Sequence, residues 1–217
     1  MNPTKKFAVI LAGCGHRDGA EIQESVMALY AIALSNSTYE VFAPDIPQHH
    51  VINHLTGQPA DETRNVLVEA ARIARGNIKP LNEFKSQDFD ILMFAGGFGV
   101  AKNLCTYAFE GAECTVNPDV EKAVESMHSA GKPIGALCIS PVILAKVLDN
   151  VTVTLGQDPA AIENVKMMGA NHETTNAREI VIDRKNKVVT NPCYMLDSSI
   201  VDIAEGAINT VNALLEM

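Results

Sequence analysis

Along this chain, short apolar runs alternate with longer stretches whose apolar positions recur every three or four residues. Phe7-Ala-Val-Ile-Leu-Ala12 predicts a buried first strand. From about Ala20 to Ser35, residues Ile22, Val26, Leu29, Tyr30 and Ala33 fall at helical spacing. Tyr39-Glu-Val-Phe-Ala43 predicts a second strand, and Asp61 to Arg75 a helix. Phe89 to Ala95 predicts a strand that stops at Gly96-Gly97, and Asn117-Pro118-Asp119 opens a helix closed by Gly131 and Pro133. Pro133 to Leu137 is a short strand, followed by a helix that starts at Pro141 with Ser140 as its N-cap. Val151 to Leu155 is a strand and Ala160 to Met168 a helix. Glu179–Asp183 and Lys187–Thr190 form a hairpin, and a last helix spans about Ser198 to Leu215. Strands alternating with helices predict an α/β fold, a mostly parallel sheet covered on both faces, as one domain over residues 1–217. Residues 45–81 form a helix-bearing insertion near the sheet edge, placed to cap a site.

Composition narrows the function classes. The 217 residues are 47% hydrophobic and 20% charged, enough for a full core. Seventeen basic against twenty-six acidic residues leave a net charge of −9, so a nucleic-acid partner is not expected. No apolar run approaches the roughly 20 residues of a membrane span. Five cysteines without framework spacing, and a first apolar run too short for a signal-peptide core, predict reduced thiols and a cytoplasmic location. His49, His50 and His54 cluster, but no acid or cysteine spacing completes a metal site, and no metal or cofactor is expected.

The chemistry-bearing residues gather at predicted strand ends, where open α/β sheets place their sites. Gly135-Ala-Leu-Cys138-Ile139-Ser140-Pro141 sets a thiol on a sharp strand-to-helix turn, with small residues two before and two after it. The adjoining helix N-terminus predicts a lowered thiol pKa and a reactive thiolate; the same residues also fit a buried structural cysteine. The loop after the first strand leads into a helix with Glu21 and Glu24 in its first turns, and either carboxyl has the reach to serve the thiol or to act as an ordinary helix-start acid. Gly96-Gly97 after a buried strand, with the N–H of Ile139, predicts an oxyanion hole. Cys14 lies in the loop beside the first strand's end, and His54 is the insertion histidine best placed to line a cleft.

These motifs carry a resemblance that covers nearly the whole chain. Gly19-Ala-Glu-Ile-Gln-Glu-Ser-Val26, then Ala95-Gly-Gly97 with Ala101-Lys-Asn-Leu104, then the Cys138 elbow resemble the class I glutamine-amidotransferase-like superfamily, in the branch of the Parkinsonism-associated deglycase and the PfpI proteases. Asn53–Gly57, Glu62–Leu67, Gly111–Val116 and Tyr194-Met-Leu196 are similar to the enhancing-lycopene-biosynthesis (sigma cross-reacting) proteins. The resemblance implies a flavodoxin-like three-layer α/β/α sandwich and a homodimer. It implies Glu24 as the partner of Cys138, with Gly97 and Ile139 as oxyanion donors. It adds Gly96, Asn103 and Glu113 as residues near the substrate, and Asp158 in the place where some members carry a histidine. Ile139 replaces the histidine of the protease-like members, which argues against a protease, and His172-Glu173 lacks the spacing of an amidotransferase pair.

Two functions follow. One, implied by the resemblance, is a glutathione-independent glyoxalase that converts glyoxal or methylglyoxal, its small aldehyde substrate, to glycolate or lactate through a Cys138 hemithioacetal. The other is a non-catalytic redox-sensing or partner-binding protein that uses the same thiol.

Overall fold

The fold, taken from a computed structural model that describes residues 4–217, is built on a seven-stranded sheet. Its strands are β1 (Lys6–Ile10), β2 (Thr38–Ala43), β3 (Ile78–Pro80), β4 (Ile91–Phe94), β5 (Ile134–Leu137), β8 (Val181–Asp183) and β9 (Val188–Asn191). The spatial order is β3-β2-β1-β4-β5-β9-β8. All neighbours are parallel except the β8/β9 hairpin. A separate parallel pair, β6 (Thr152–Val153) and β7 (Asn171–His172), lies outside this sheet. The central strands read as unbroken apolar runs because both their faces are covered: Phe7 to Ala12 and Leu92 to Phe94 are fully buried.

The helices are α1 (Ile22–Leu34), α2 (Val66–Ile73), α3 (Tyr107–Glu110), α4 (Pro118–Ser129), α5 (Pro141–Val147), α6 (Pro159–Met167) and α7 (Ile200–Leu215). α1 packs along α7, which also covers β5 and β9, while α4 packs on α5 and covers β4 and β5. This is the α/β arrangement that the alternation predicts and the flavodoxin-like sandwich that the resemblance implies. Helix starts follow local chemistry. Asn117 accepts from the N–H of Asp119 and Val120, and Ser199 with Asp202 forms a reciprocal capping box.

Three expectations are corrected. Of the predicted α1 stripe, Leu29 is buried, but Ala33 is exposed and Ile22, Val26 and Tyr30 lie 44–52% exposed. Around Leu29 the helix buries Glu24, Ser25, Ala28, Ala31 and Ile32, a side whose small residues suit close packing along α7. The segment 45–81 is an insertion only in part, because its end, β3, hydrogen-bonds to β2 as the edge strand. Ser140 does not cap α5; its Oγ donates to the Ala95 carbonyl at 2.6 Å and so ties the β5 turn to the β4 turn.

Candidate active site

The chain runs outward from β1 through β2 to β3, then returns to place β4 on the other side of β1. That reversal is the topological switch point, where the carboxyl ends of strands open a crevice. Three segments meet there: the loop from β1 into α1, the Gly96-Gly97 turn after β4, and the Cys138 turn after β5.

Cys138 has φ 60°, a left-handed conformation that costs a non-glycine residue about 1–3 kcal/mol. The surroundings hold it there. Its N–H donates to the Asn191 carbonyl of β9 at 2.9 Å, and the N–H of Ser140 closes the turn on Leu137 at 3.0 Å. The backbone N–H groups of Gly97 and Ile139 are both directed at the Cys138 sulfur. Gly97 has φ 101°, and a Cβ there would overlap the backbone of Gly19 to Glu21. Glycine is therefore what lets this N–H reach the sulfur.

Glu24 is fully buried. Its Oε1 accepts from the Tyr194 N–H at 3.1 Å. Its Oε2 makes no well-aligned bond and lies against the Cys138 thiol and the Gly96 N–H. Burial pushes the Glu24 carboxyl up to about 8, so it is mostly neutral at pH 7. Burial first, and the Glu24 charge second, push the Cys138 thiol well above its usual value. This corrects the lowered thiol pKa expected from the helix start: α5 is only seven residues long, and desolvation outweighs its dipole. The resting pair thus holds its protons. A thiolate forms here when Glu24 stays protonated and donates Oε2–H toward the sulfur, with the two N–H groups as further donors.

The other expected residues divide. Gly96 lies between the pair, 3.0 Å from Sγ to the place a Cβ would occupy. Glu21 is the N-cap of α1; its Oε2 accepts from the Glu24 N–H at 2.6 Å, and its own N–H donates to the Gly96 carbonyl at 2.9 Å. Glu21 thus fixes Glu24 and, with His16, Ile22, Gln23 and Tyr194, borders a cleft at the surface. Asn103 does not line the substrate space. It is buried, donating from Nδ2 to the Ala12 and Asp18 carbonyls and accepting the His49 N–H on Oδ1, all at 3.0 Å. It therefore pins three loops together. His54 braces the same loops: Nδ1 bonds the Ile52 carbonyl at 2.9 Å and Nε2 accepts the Arg17 N–H at 3.3 Å.

Three expectations fall away from the site. The charged groups that act on Cys14 are Glu69, Arg72, Asp18 and Arg64, which places it toward α2. Asp158 is the exposed N-cap of α6, its Oδ1 accepting the Ala161 N–H at 2.7 Å, so it does not stand in for a histidine. Glu113 is exposed on the turn Gly111–Glu113, which packs against α6. His172 holds the Leu155 N–H at 3.0 Å.

A support shell that no catalytic motif marks surrounds the pair. Tyr194 holds Glu24, and buried Cys193 joins the site as a neighbour of both Glu24 and Cys138. Asn191 accepts the Cys193 N–H on Oδ1 at 2.9 Å and donates from Nδ2 to the Ala177 and Glu179 carbonyls. The available signal was position: Asn191 and Cys193 stand at the carboxyl end of a strand whose neighbour is β5.

No family model matches the chain. A human relative, "Glutamine amidotransferase-like class 1 domain-containing protein 3, mitochondrial", is 43% identical over 99% of this chain and 84% of its own length. The chain belongs to this glutamine amidotransferase-like class 1, or ES1, family. A rat "ES1 protein homolog, mitochondrial" is 42% identical over 99% of the chain and 85% of its own. The crystal structure of an Ehrlichia chaffeensis "isoprenoid biosynthesis protein with amidotransferase-like domain" superposes with a TM-score of 0.90 at 34% identity, over 97% of this chain and 99% of that one. These matches agree with the superfamily and the lycopene-related branch that the motifs resemble. The cytoplasmic location is overturned, because these ES1-family relatives are named mitochondrial. Free cysteines report a reducing environment, not an address, and five reduced thiols suit more than one compartment.

Proposed function

We propose that this chain is a cofactor-independent glyoxalase that converts glyoxal or methylglyoxal to glycolate or lactate without glutathione. The observation that carries the reading is the buried Glu24–Cys138 pair beside Gly96, with two backbone N–H groups aimed at the sulfur. The sulfur adds to the aldehyde carbon, and the thiol proton ends on the aldehyde oxygen, giving a hemithioacetal. The N–H groups of Gly97 and Ile139 stabilise the charge that develops on that oxygen. Glu24 as carboxylate removes the carbon-bound proton, and the enediol collapses with that proton delivered to the neighbouring carbon. Water then hydrolyses the resulting thioester, restoring the thiol and releasing the hydroxy acid, so that the sum is oxoaldehyde plus water to hydroxy acid. A carboxyl near pKa 8 is suited to give and take a proton close to neutrality.

Two features weaken the sensing alternative: Cys138 is only 7% exposed, and its thiol pKa is raised rather than lowered. A histidine is not among the groups acting most strongly on the thiol, which agrees with the case against a protease.

The deciding measurement follows hydroxy acid by NMR after mixing protein with methylglyoxal in an amine-free buffer without glutathione. Wild type is expected to give many product molecules per thiol, and Cys138→Ser to fall to the buffer rate. Aldehyde loss capped at one equivalent with no acid formed would defeat the reading.

We also infer membership in the enhancing-lycopene-biosynthesis branch, supported by the likeness to the Ehrlichia isoprenoid biosynthesis protein, and a homodimer. The exposed apolar row Ile22, Val26, Tyr30 and Leu34 supports a second copy as the cover for α1. Light scattering is expected to give twice the chain mass for wild type and the chain mass for Val26→Asp; a monomeric wild type would refute the dimer.

A further inference from the structure

A second cavity lies beside the loop from β1 into α1 and the residue that follows Gly97. It has a volume of about 320 Å³ and is lined by His16, Arg17, Ile52, Gly57, Phe98 and Lys102. Phe98 directly follows the oxyanion glycine Gly97, and its N–H donates to the His16 carbonyl at 2.8 Å. His16 also borders the cleft of Glu21 and Tyr194, so the two spaces share a wall.

The cavity concentrates positive charge in an acidic chain. The Arg17 guanidinium has no hydrogen bond or ion pair to a side chain among the described residues, and its Nη1 stands 3.6 Å from the place a Gly57 Cβ would take. The Lys102 ammonium donates to the Arg17 carbonyl at 3.0 Å and lies 4.8 Å from the centroid of the Phe98 ring. Among the described residues no carboxylate lies within ion-pair distance of it, and burial pulls its pKa down. Of the acids near the cavity, Glu21 caps α1 and borders the other cleft, and Asp18 is turned inward. Its Oδ2 accepts the Ile52 N–H at 2.6 Å and its Oδ1 lies 3.7 Å from His54 Nε2. Burial first, then neighbouring His54 and Arg17, hold the His16 pKa down, which favours its neutral imidazole. Two cations and no carboxylate line the cavity, with an apolar wall of Phe98 and Ile52 beside them. A group of this kind without a protein partner is a ready acceptor for an anion, and arginine suits the forked geometry of carboxylate and phosphate.

We propose that the substrates of the Cys138 centre are α-oxoaldehydes that carry an anionic arm, carboxylate or phosphate, bound by Arg17 and Lys102 while the aldehyde meets the thiol. The inference rests on the glyoxalase reading and names its substrate class. Methylglyoxal lacks such an arm and leaves this cavity unused. The balanced reactions are γ,δ-dioxovalerate plus water to α-hydroxyglutarate, and hydroxypyruvaldehyde phosphate plus water to phosphoglycerate. In each the aldehyde carbon is oxidised, the ketone carbon is reduced, and no external oxidant enters.

Two measurements separate this inference from the reaction it rests on. In the first, inorganic phosphate and acetate are titrated calorimetrically into Cys138→Ser, which binds without turnover. The same titrations are run on Cys138→Ser carrying Arg17→Gln or Lys102→Met. At least tenfold weaker binding in either double variant is expected, and the anion bound more tightly identifies the arm. Equal binding in all three proteins would overturn the inference, whatever the enzyme does with aldehydes. In the second, kcat/KM is compared across the two anionic oxoaldehydes and methylglyoxal. The anionic substrate is expected to lead methylglyoxal at least tenfold in wild type, and Arg17→Gln to reduce that ratio at least tenfold. A ratio near one in wild type would overturn the inference even if methylglyoxal is turned over. If no oxoaldehyde is turned over, the glyoxalase reading fails, and the proposed substrate class fails with it even where the titration finds the anion site.

Discussion

Glu24→Gln is expected to lower turnover of methylglyoxal about a hundredfold or more while making the fold more stable at pH 8. The rate loss follows from removing the carboxyl in contact with Cys138, since a positioned acid or base contributes about 10²–10⁴-fold. The stability gain follows from the sign of the shift. Burial raises the folded-state pKa of Glu24 from 4.5 to about 8. Below pH 4.5 both folded and unfolded chains hold the proton, and the group contributes no penalty. Between pH 4.5 and 8 the unfolded chain ionises while the folded one resists. Stability then falls as pH rises, by up to about 1.4 kcal/mol per unit, and the loss levels off above the folded pKa. Glutamine imitates the neutral acid, keeps an oxygen for the Tyr194 N–H, and carries no such penalty. Thermal melts at pH 4 and pH 8 check this: the variant's advantage should be several degrees at the higher pH and vanish at the lower. A parallel pH series should show the wild-type rate rising toward pH 8 and then flattening. A variant that melts with the same pH dependence as wild type would show that Glu24 is ionised in the fold.

Gly96→Ala is expected to abolish activity and cost about 1–3 kcal/mol of stability. The added methyl would overlap the Cys138 Cβ and Glu24 Oε2, and it would stand 3.0 Å from the sulfur. None of these atoms is free to yield. Cys138 is held by the Asn191 carbonyl and by its strained turn, Glu24 by the Tyr194 N–H and by Glu21. The methyl must therefore push thiol and carboxyl apart, and misplacement by an ångström removes the proton-transfer geometry. Denaturant unfolding and the NMR product assay measure the two effects. Wild-type turnover in a folded Gly96→Ala protein would mean that the pair does not act across this glycine.

Much of the fold was legible in the order of its elements. Apolar runs such as Phe7–Ala12 and Phe89–Ala95 can be buried on both faces only in a covered parallel sheet, and capping residues such as Asn117 and Ser199 mark helix starts through bonds made within three residues. The α1 stripe misleads for the same reason that it is visible. Periodicity records that one side of a helix is apolar, not which surface covers it, and α1 turns its smaller residues to α7.

Read as sequence alone, the chain specified an α/β fold, a thiol on a tight turn, and the glycines beside it, because each depends on the conformation of neighbouring residues. Strand order lies beyond such local rules. It sets β9 against β5 across more than fifty residues of chain, and with it Asn191, Cys193 and Tyr194 behind the thiol and its acid. Burial, also a property of the whole fold, gave Glu24 its pKa and reversed the shift expected for Cys138. It also made Asn103 a tie between loops instead of a ligand contact, and brought Arg17 and Lys102, 85 residues apart, to one cavity. Desolvation and charge proximity act through space, so only the assembled sheet and its loops could set them.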